Sequence, residues 1–156
     1  MKVRVRPPTA EYLEFLAPFE RRVIDLALAA RALVLEEAPD ASELIYDAYN
    51  AVATGYSFTG RPSDSFVHIA VYARWVNLGF NRGSELDDAR GVLQGAGRWV
   101  RHIRIAEPAD LEKPEVREFV RAAVARAVRP DPGMAKSGDR SVVRAIYPKK
   151  RRPAPS

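Results

Sequence analysis

At Ser42 the hydrophobic repeat of this chain changes from a helical spacing to a strand spacing, and that change limits the folds open to it. Before it, Val23, Leu26, Ala27, Ala30, Leu33 and Val34 recur turn by turn, with Arg21, Arg22, Asp25 and Arg31 off the stripe. That pattern predicts an amphipathic helix of about four turns, which Pro39 ends. A shorter helix precedes it, capped by Thr9 and carrying Tyr12, Phe15 and Leu16 on one side. Pro18 is placed to open the longer helix.

Beyond Ser42, residues 42–47, 51–56, 65–72 and 76–80 read as strands. In the last of these Val76, Leu78 and Phe80 alternate with Asn77 and Gly79. The short link 73–75 folds the final two into an antiparallel hairpin. Gly60 and Pro62 make 58–64 a turn, and a loop with Gly83, Gly91, Gly95 and Gly97 leads to a last strand at 99–105. Pro114 then opens a helix striped by Val116, Phe119, Val120, Ala123, Val124 and Ala127. The order predicts an α+β fold: two N-terminal helices, an antiparallel sheet of four to five strands, and a C-terminal helix packed on one face.

Charge separates this domain from the C-terminal segment. Of 25 Lys/Arg and 20 Asp/Glu, seven basic and two acidic residues fall in 131–156, which leaves 18 of each sign in the rest. The net charge of +5 therefore belongs to that segment, and the domain itself offers no electrostatic argument for nucleic acid. The chain divides into a flexible 1–9, a domain at 10–128 and a basic, Pro-containing tail at 129–156. Only 142–147 holds apolar residues within that tail, too few to offset chain entropy, so disorder is expected there. Lys149, Lys150, Arg151 and Arg152 can meet nucleic-acid phosphates without reading sequence. With no cysteine, disulfides and thiolate metal sites are excluded. No run approaches the ~20 apolar residues of a membrane span. The expectation is a cytoplasmic protein, a monomer or small homo-oligomer.

Three blocks resemble a known family. The first is Ala38, Pro39, Asp40, Ala41, Ser42, Glu43, Leu44, Ile45, Tyr46, Asp47. The second runs from His68, Ile69, Ala70, Val71, Tyr72, Ala73, Arg74 into Val76, Asn77, Leu78, Gly79, Phe80, Asn81, Arg82, Gly83. The third is Leu93, Gln94, Gly95, Ala96, Gly97, Arg98, followed by Arg101, His102, Ile103, Arg104. Their order and spacing over roughly 12–127 resemble the YdhG-like family, known as domain of unknown function 1801. The resemblance implies a frataxin-like sandwich and, for one branch, an iron chaperone without enzymatic activity. Trp75 stands where many relatives have a His, and Ala96 where a small hydroxyl residue is common, so contacts made by those side chains are absent here.

Two residue sets carry the functional expectations. Glu36, Glu37, Asp40, Glu43 and Asp47 form an acidic cluster offering the hard oxygen ligands that iron takes; the alternative is a solvated helix end and turn. His68, with Asn77 and Asn81 across the hairpin and Tyr46 on a neighbouring strand, forms a polar sheet face for a small molecule. Its alternative is a satisfied structural histidine. Arg82 and Arg98, the latter after Gly95 and Gly97, extend that face toward an anion. No nucleophilic constellation and no two-His metal spacing is readable.

Overall fold

The computed structural model describes residues 5–132 and 140–149. Four helices and six strands succeed one another as α1 (Ala10–Leu16), α2 (Arg21–Glu37), β1 (Ser42–Asp47), β2 (Val52–Ser57), β3 (Val67–Val71), β4 (Val76–Phe80), β5 (Arg101–Ile105), α3 (Pro108–Glu112), α4 (Pro114–Arg126) and β6 (Ser141–Ile146). The fold is α+β.

Local chemistry sets most boundaries. Thr9 Oγ1 accepts from the Tyr12 N–H at 3.2 Å and opens α1. Pro108 and Pro114 take the first positions of α3 and α4, where a missing N–H costs nothing. Asp110 Oδ2 accepts the backbone N–H groups of Ala106 and Glu107 at 2.9 and 3.0 Å, which fixes the entry to α3.

The six strands lie in the order β5-β4-β3-β2-β1-β6. β1 to β5 form an antiparallel meander with each strand beside its predecessor. β6 returns to the far edge and runs parallel to β1, so the sheet is mixed. One face alternates Ile45, Thr54, Ile69, Leu78 and Ile103 in register across five strands. α2 lies against this face, bringing Val23, Leu26, Ala30 and Val34 into the same core as α4's Val116, Phe119 and Val120. Each fully buried large apolar side chain contributes roughly 1.5–3 kcal/mol.

Three features differ from the sequence reading. α3 is a fourth helix, too short to show a repeat. The sheet has six strands and is not wholly antiparallel. The sixth, Ser141–Ile146, lies where disorder is expected. Composition measures only what a segment can bury, whereas β1 offers this one an open ladder. The Glu43 N–H donates to Arg140 O at 2.7 Å, and the Tyr147 N–H to Asp47 O at 2.8 Å. Lys150, Arg151 and Arg152 lie outside the described residues. No helix of the described residues is long and apolar enough to cross a membrane.

Candidate functional site

The acidic residues of 36–47 are separated by their partners. Glu37 accepts from Arg117 Nη1 at 2.7 Å and Arg121 Nε at 2.8 Å; Glu36 accepts from Arg117 Nη2 at 2.9 Å. The hydrogen bond from Arg121, followed by that from Arg117, holds the Glu37 carboxyl below the usual carboxylate range. Asp40 meets Arg129 at 3.4 Å on the surface. Asp47 is buried at the end of β1.

Glu43 turns to the core with none of its surface exposed. Its Oε2 accepts from Arg31 Nε and Tyr56 Oη, both at 2.8 Å, and its Oε1 from Ser141 Oγ at 2.7 Å and Arg31 Nη2 at 3.2 Å. Arg31 in turn donates to the carbonyls of Arg6 at 2.9 Å and Pro7 at 3.3 Å. Burial, then the Glu43 charge, pushes the Tyr56 hydroxyl well above its ordinary range, so it stays a donor. Glu36, Glu37, Asp40 and Glu43 are thus each paired with an arginine. Among the described residues no group of three His, Cys, Asp or Glu side chains is placed to hold a metal ion.

The polar sheet face is assembled by register. Two adjacent rows cross the face opposite α2: Leu44, Gly55, His68, Gly79, His102, and Tyr46, Ala53, Ala70, Asn77, Arg104, of which Leu44, Gly55 and Gly79 are buried. His68 Nδ1 lies 2.9 Å from Asn81 Oδ1. An amide oxygen only accepts, so the neutral imidazole carries its proton on Nδ1 and its lone pair on Nε2. A methyl group added at Gly79 would overlap that Nε2, so the ring lies across the glycine between β3 and β5. Burial is the main reason the His68 pKa falls below the ordinary histidine range, with His102 adding to it; the Asn81 bond opposes both. The His102 pKa is lowered too, by burial and then Arg104. Both imidazoles are therefore neutral at pH 7.

Next to this ring the face holds polar atoms in need of partners. Asn77 Oδ1 and Trp75 Nε1 are buried without a hydrogen-bond partner among the described residues. The Arg104 guanidinium lies over the Trp75 ring at 4.2 Å, and Tyr72 stacks on the same indole with centroids 5.4 Å apart. Between the polar groups the small positions are Ala53 and Ala70; the His68 ring occupies the space above Gly79, and Ser65 Oγ that above Gly55.

The structure thus brings His68, Asn77 and Asn81 together and places Tyr46 on the same face, two strands from Ala70 and so about 10 Å away. Arg82 and Arg98 belong elsewhere. They flank the Trp99 ring at 4.1 and 5.0 Å beyond the end of β4. The backbone near Arg98 is occupied locally: its carbonyl accepts from Ser84 Oγ at 2.8 Å, and Gln94 pairs with His102. The sequence reading missed Gly79, Trp75 and Arg104 as parts of the site. Gly79 was legible as an outward glycine between two strands; the Trp75–Arg104 stack depends on the β4–β5 register.

In comparisons with known proteins the chain matches no protein-family model, no curated protein and no solved structure.

Proposed function

We propose that this protein is a binding domain that receives a small, planar, uncharged molecule on the face of its sheet opposite α2. The observation that carries the reading is the Asn81–His68 hydrogen bond, which commits the imidazole to presenting Nε2 as an acceptor above Gly79. A ligand N–H would pair with that nitrogen, and a second with Asn77 Oδ1. Trp75 Nε1 offers a donor to a ligand carbonyl or ring nitrogen. The small side chains of Ala53 and Ala70 let a flat ring lie on the sheet beside His68. Two neutral imidazoles beside Arg104 favour an uncharged molecule over a cation. Heterocycles and amides with adjacent donors and acceptors have this character.

The frataxin-like kinship implied by the family resemblance is also a proposal, supported by helices lying on one face of the sheet. Iron handling draws no support from the acidic residues, since Glu36, Glu37, Asp40 and Glu43 are each paired with an arginine.

Imidazole nitrogen NMR tests the reading directly. Titration with adenine, uracil and nicotinamide should move the unprotonated His68 Nε2 resonance saturably for at least one probe, and the shift should disappear in Asn77→Ala. If no probe moves Nε2, the sheet face is not the binding site.

A further inference from the structure

A second site lies where α4 approaches the end of the sheet. A cleft of about 570 Å3 opens there, within the size range of small-molecule pockets. Its floor is apolar: Phe66, stacked on Phe58 at 4.8 Å, Phe80, tilted against Phe119 at 6.0 Å, and Leu86. The α4 side contributes Ala123 and Ala127, whose small side chains leave the volume open.

The rim is charged unequally. Glu85 binds two guanidiniums at once, Arg82 Nη2 at 2.9 Å and Arg126 Nη2 at 3.0 Å. Asp64, the other acid at the cleft, is already held by Arg61 at 2.8 Å and by Thr59 Oγ1 at 2.7 Å. One guanidinium charge is therefore left over at the mouth. Arg82 lies against the Trp99 ring at 4.1 Å, which fixes the plane of its fork. Of its N–H groups only those on Nη2 are engaged by a carboxylate among the described residues. The hydrogen bonds from Arg82, then Arg126, hold Glu85 below the usual carboxylate range, so it remains the anion that aligns both arginines.

We infer that this cleft binds a compact amphipathic carboxylate, with its apolar body on Phe66, Phe80 and Leu86 and its headgroup on Arg82 and Arg126. The body needs the dry floor, and the headgroup needs a planar donor fork already held in place. A neutral molecule of the same shape forgoes the charged contact; a cation meets the surplus positive charge. This site does not depend on the sheet-face reading and uses none of its residues.

Backbone amide NMR of the full chain, titrated with decanoate, decanol and decylamine, tests it. Decanoate should shift the amides of Phe66, Leu86 and Ala123 saturably and bind about tenfold or more tighter than decanol, equivalent to about 1.4 kcal/mol. Decylamine should be the weakest. Arg82→Gln, a change at an exposed side chain, should bring decanoate down to the level of decanol, and Ala127→Leu should block both by filling the cleft. Equal binding of decanoate and decanol, or no effect of Arg82→Gln, would overturn the inference. So would shifts clustered at His68 and Asn77, because the cleft would then not be the place of binding. A ligand-free rise in mass with concentration, abolished by Ala127→Leu, would assign the cleft to a second copy of the chain and overturn it equally.

Discussion

Ser141 Oγ donates to the buried Glu43 Oε1 across 2.7 Å, joining two residues 98 positions apart in the chain. The same carboxylate takes Arg31 from α2 and Tyr56 from β2. One charge thus fastens the last strand, the long helix and the sheet centre. Arg6 reaches the arrangement from outside, with Nε 3.3 Å from Ser141 Oγ and Nη2 donating to Ala41 O at 2.6 Å.

Removing one member should cost more than a surface ion pair would. Arg31→Ala leaves Glu43 as a buried charge without its counterion, and urea unfolding should show a loss of about 3–5 kcal/mol. Ser141→Ala removes one donor to that carboxylate and should cost about 1–3 kcal/mol. Combining Arg31→Met with Glu43→Leu should recover part of the first loss, because the desolvated charge is then gone. If Ser141→Ala leaves the unfolding midpoint unchanged, β6 contributes nothing through this contact.

At Gly79 the expected effect is steric. A methyl group there overlaps the His68 ring, so Gly79→Ala must push the imidazole off its Asn81 partner or shift the strand. Such overpacking should cost about 1–3 kcal/mol. The double variant with His68→Ala should lose less than the two single changes added together, since the clash has been removed. Strict additivity in thermal melts would show that the ring does not occupy this space.

Stability should depend on pH in two steps. The folded-state pKa of His68 is lowered, mainly by burial, so the unfolded chain binds the proton more readily. The resulting stability is fully present above the unfolded value of about 6.5 and is lost as pH falls through it toward the folded value. Glu37, Asp64 and Asp110 have lowered pKa values, so their contribution is present above the unfolded carboxylate range, about 4, and disappears below it. Denaturant midpoints measured from pH 8 to pH 3 should fall in both intervals, and His68→Gln should shrink the first to the part that His102 contributes.

The arginine partners of residues 36–47 set a further expectation. Ferrous iron added under anaerobic conditions should produce no localised broadening of the Glu36, Glu37 and Glu43 amides, because the carboxylates are occupied by Arg117, Arg121 and Arg31. Arg117→Ala with Arg121→Ala frees two of them; the exposed Arg121 pair should cost roughly 1 kcal/mol or less, and the half-buried Arg117 pairs more. Broadening that appears only in this double variant would confirm the arginines as the block; broadening in the parent protein would restore the acidic cluster as a cation site.

Much of the fold is legible in the residues alone. The turn-by-turn apolar stripe of 23–34 and the alternation of 76–80 are local patterns, and local patterns decide which stretch becomes helix or strand. The hairpin comes from a link too short for anything else, and with it the nearness of His68 to Asn81. The Thr9 cap is a contact between near neighbours and needs nothing beyond the first helical turn. α3 is not legible, because five residues show no repeat.

The sequence by itself determined the α+β class, the main helices, the β1–β5 strands and the polar character of the His68 face, because each depends on residues a few positions apart. Only the tertiary structure decided which of these groups meet. Whether Glu43 is a ligand or a buried anchor depends on Arg31 and Ser141, residues 12 and 98 positions away. β6 joined the sheet because β1 had an unpaired edge to offer, which the composition of 141–146 does not reveal. Arg82 left the His68 set for a cleft built with α4, since a side chain beyond the end of a strand answers to whatever packs against that end. The change of repeat at Ser42 specified the elements; backbone pairing and buried charge, which act between distant residues, specified their partners.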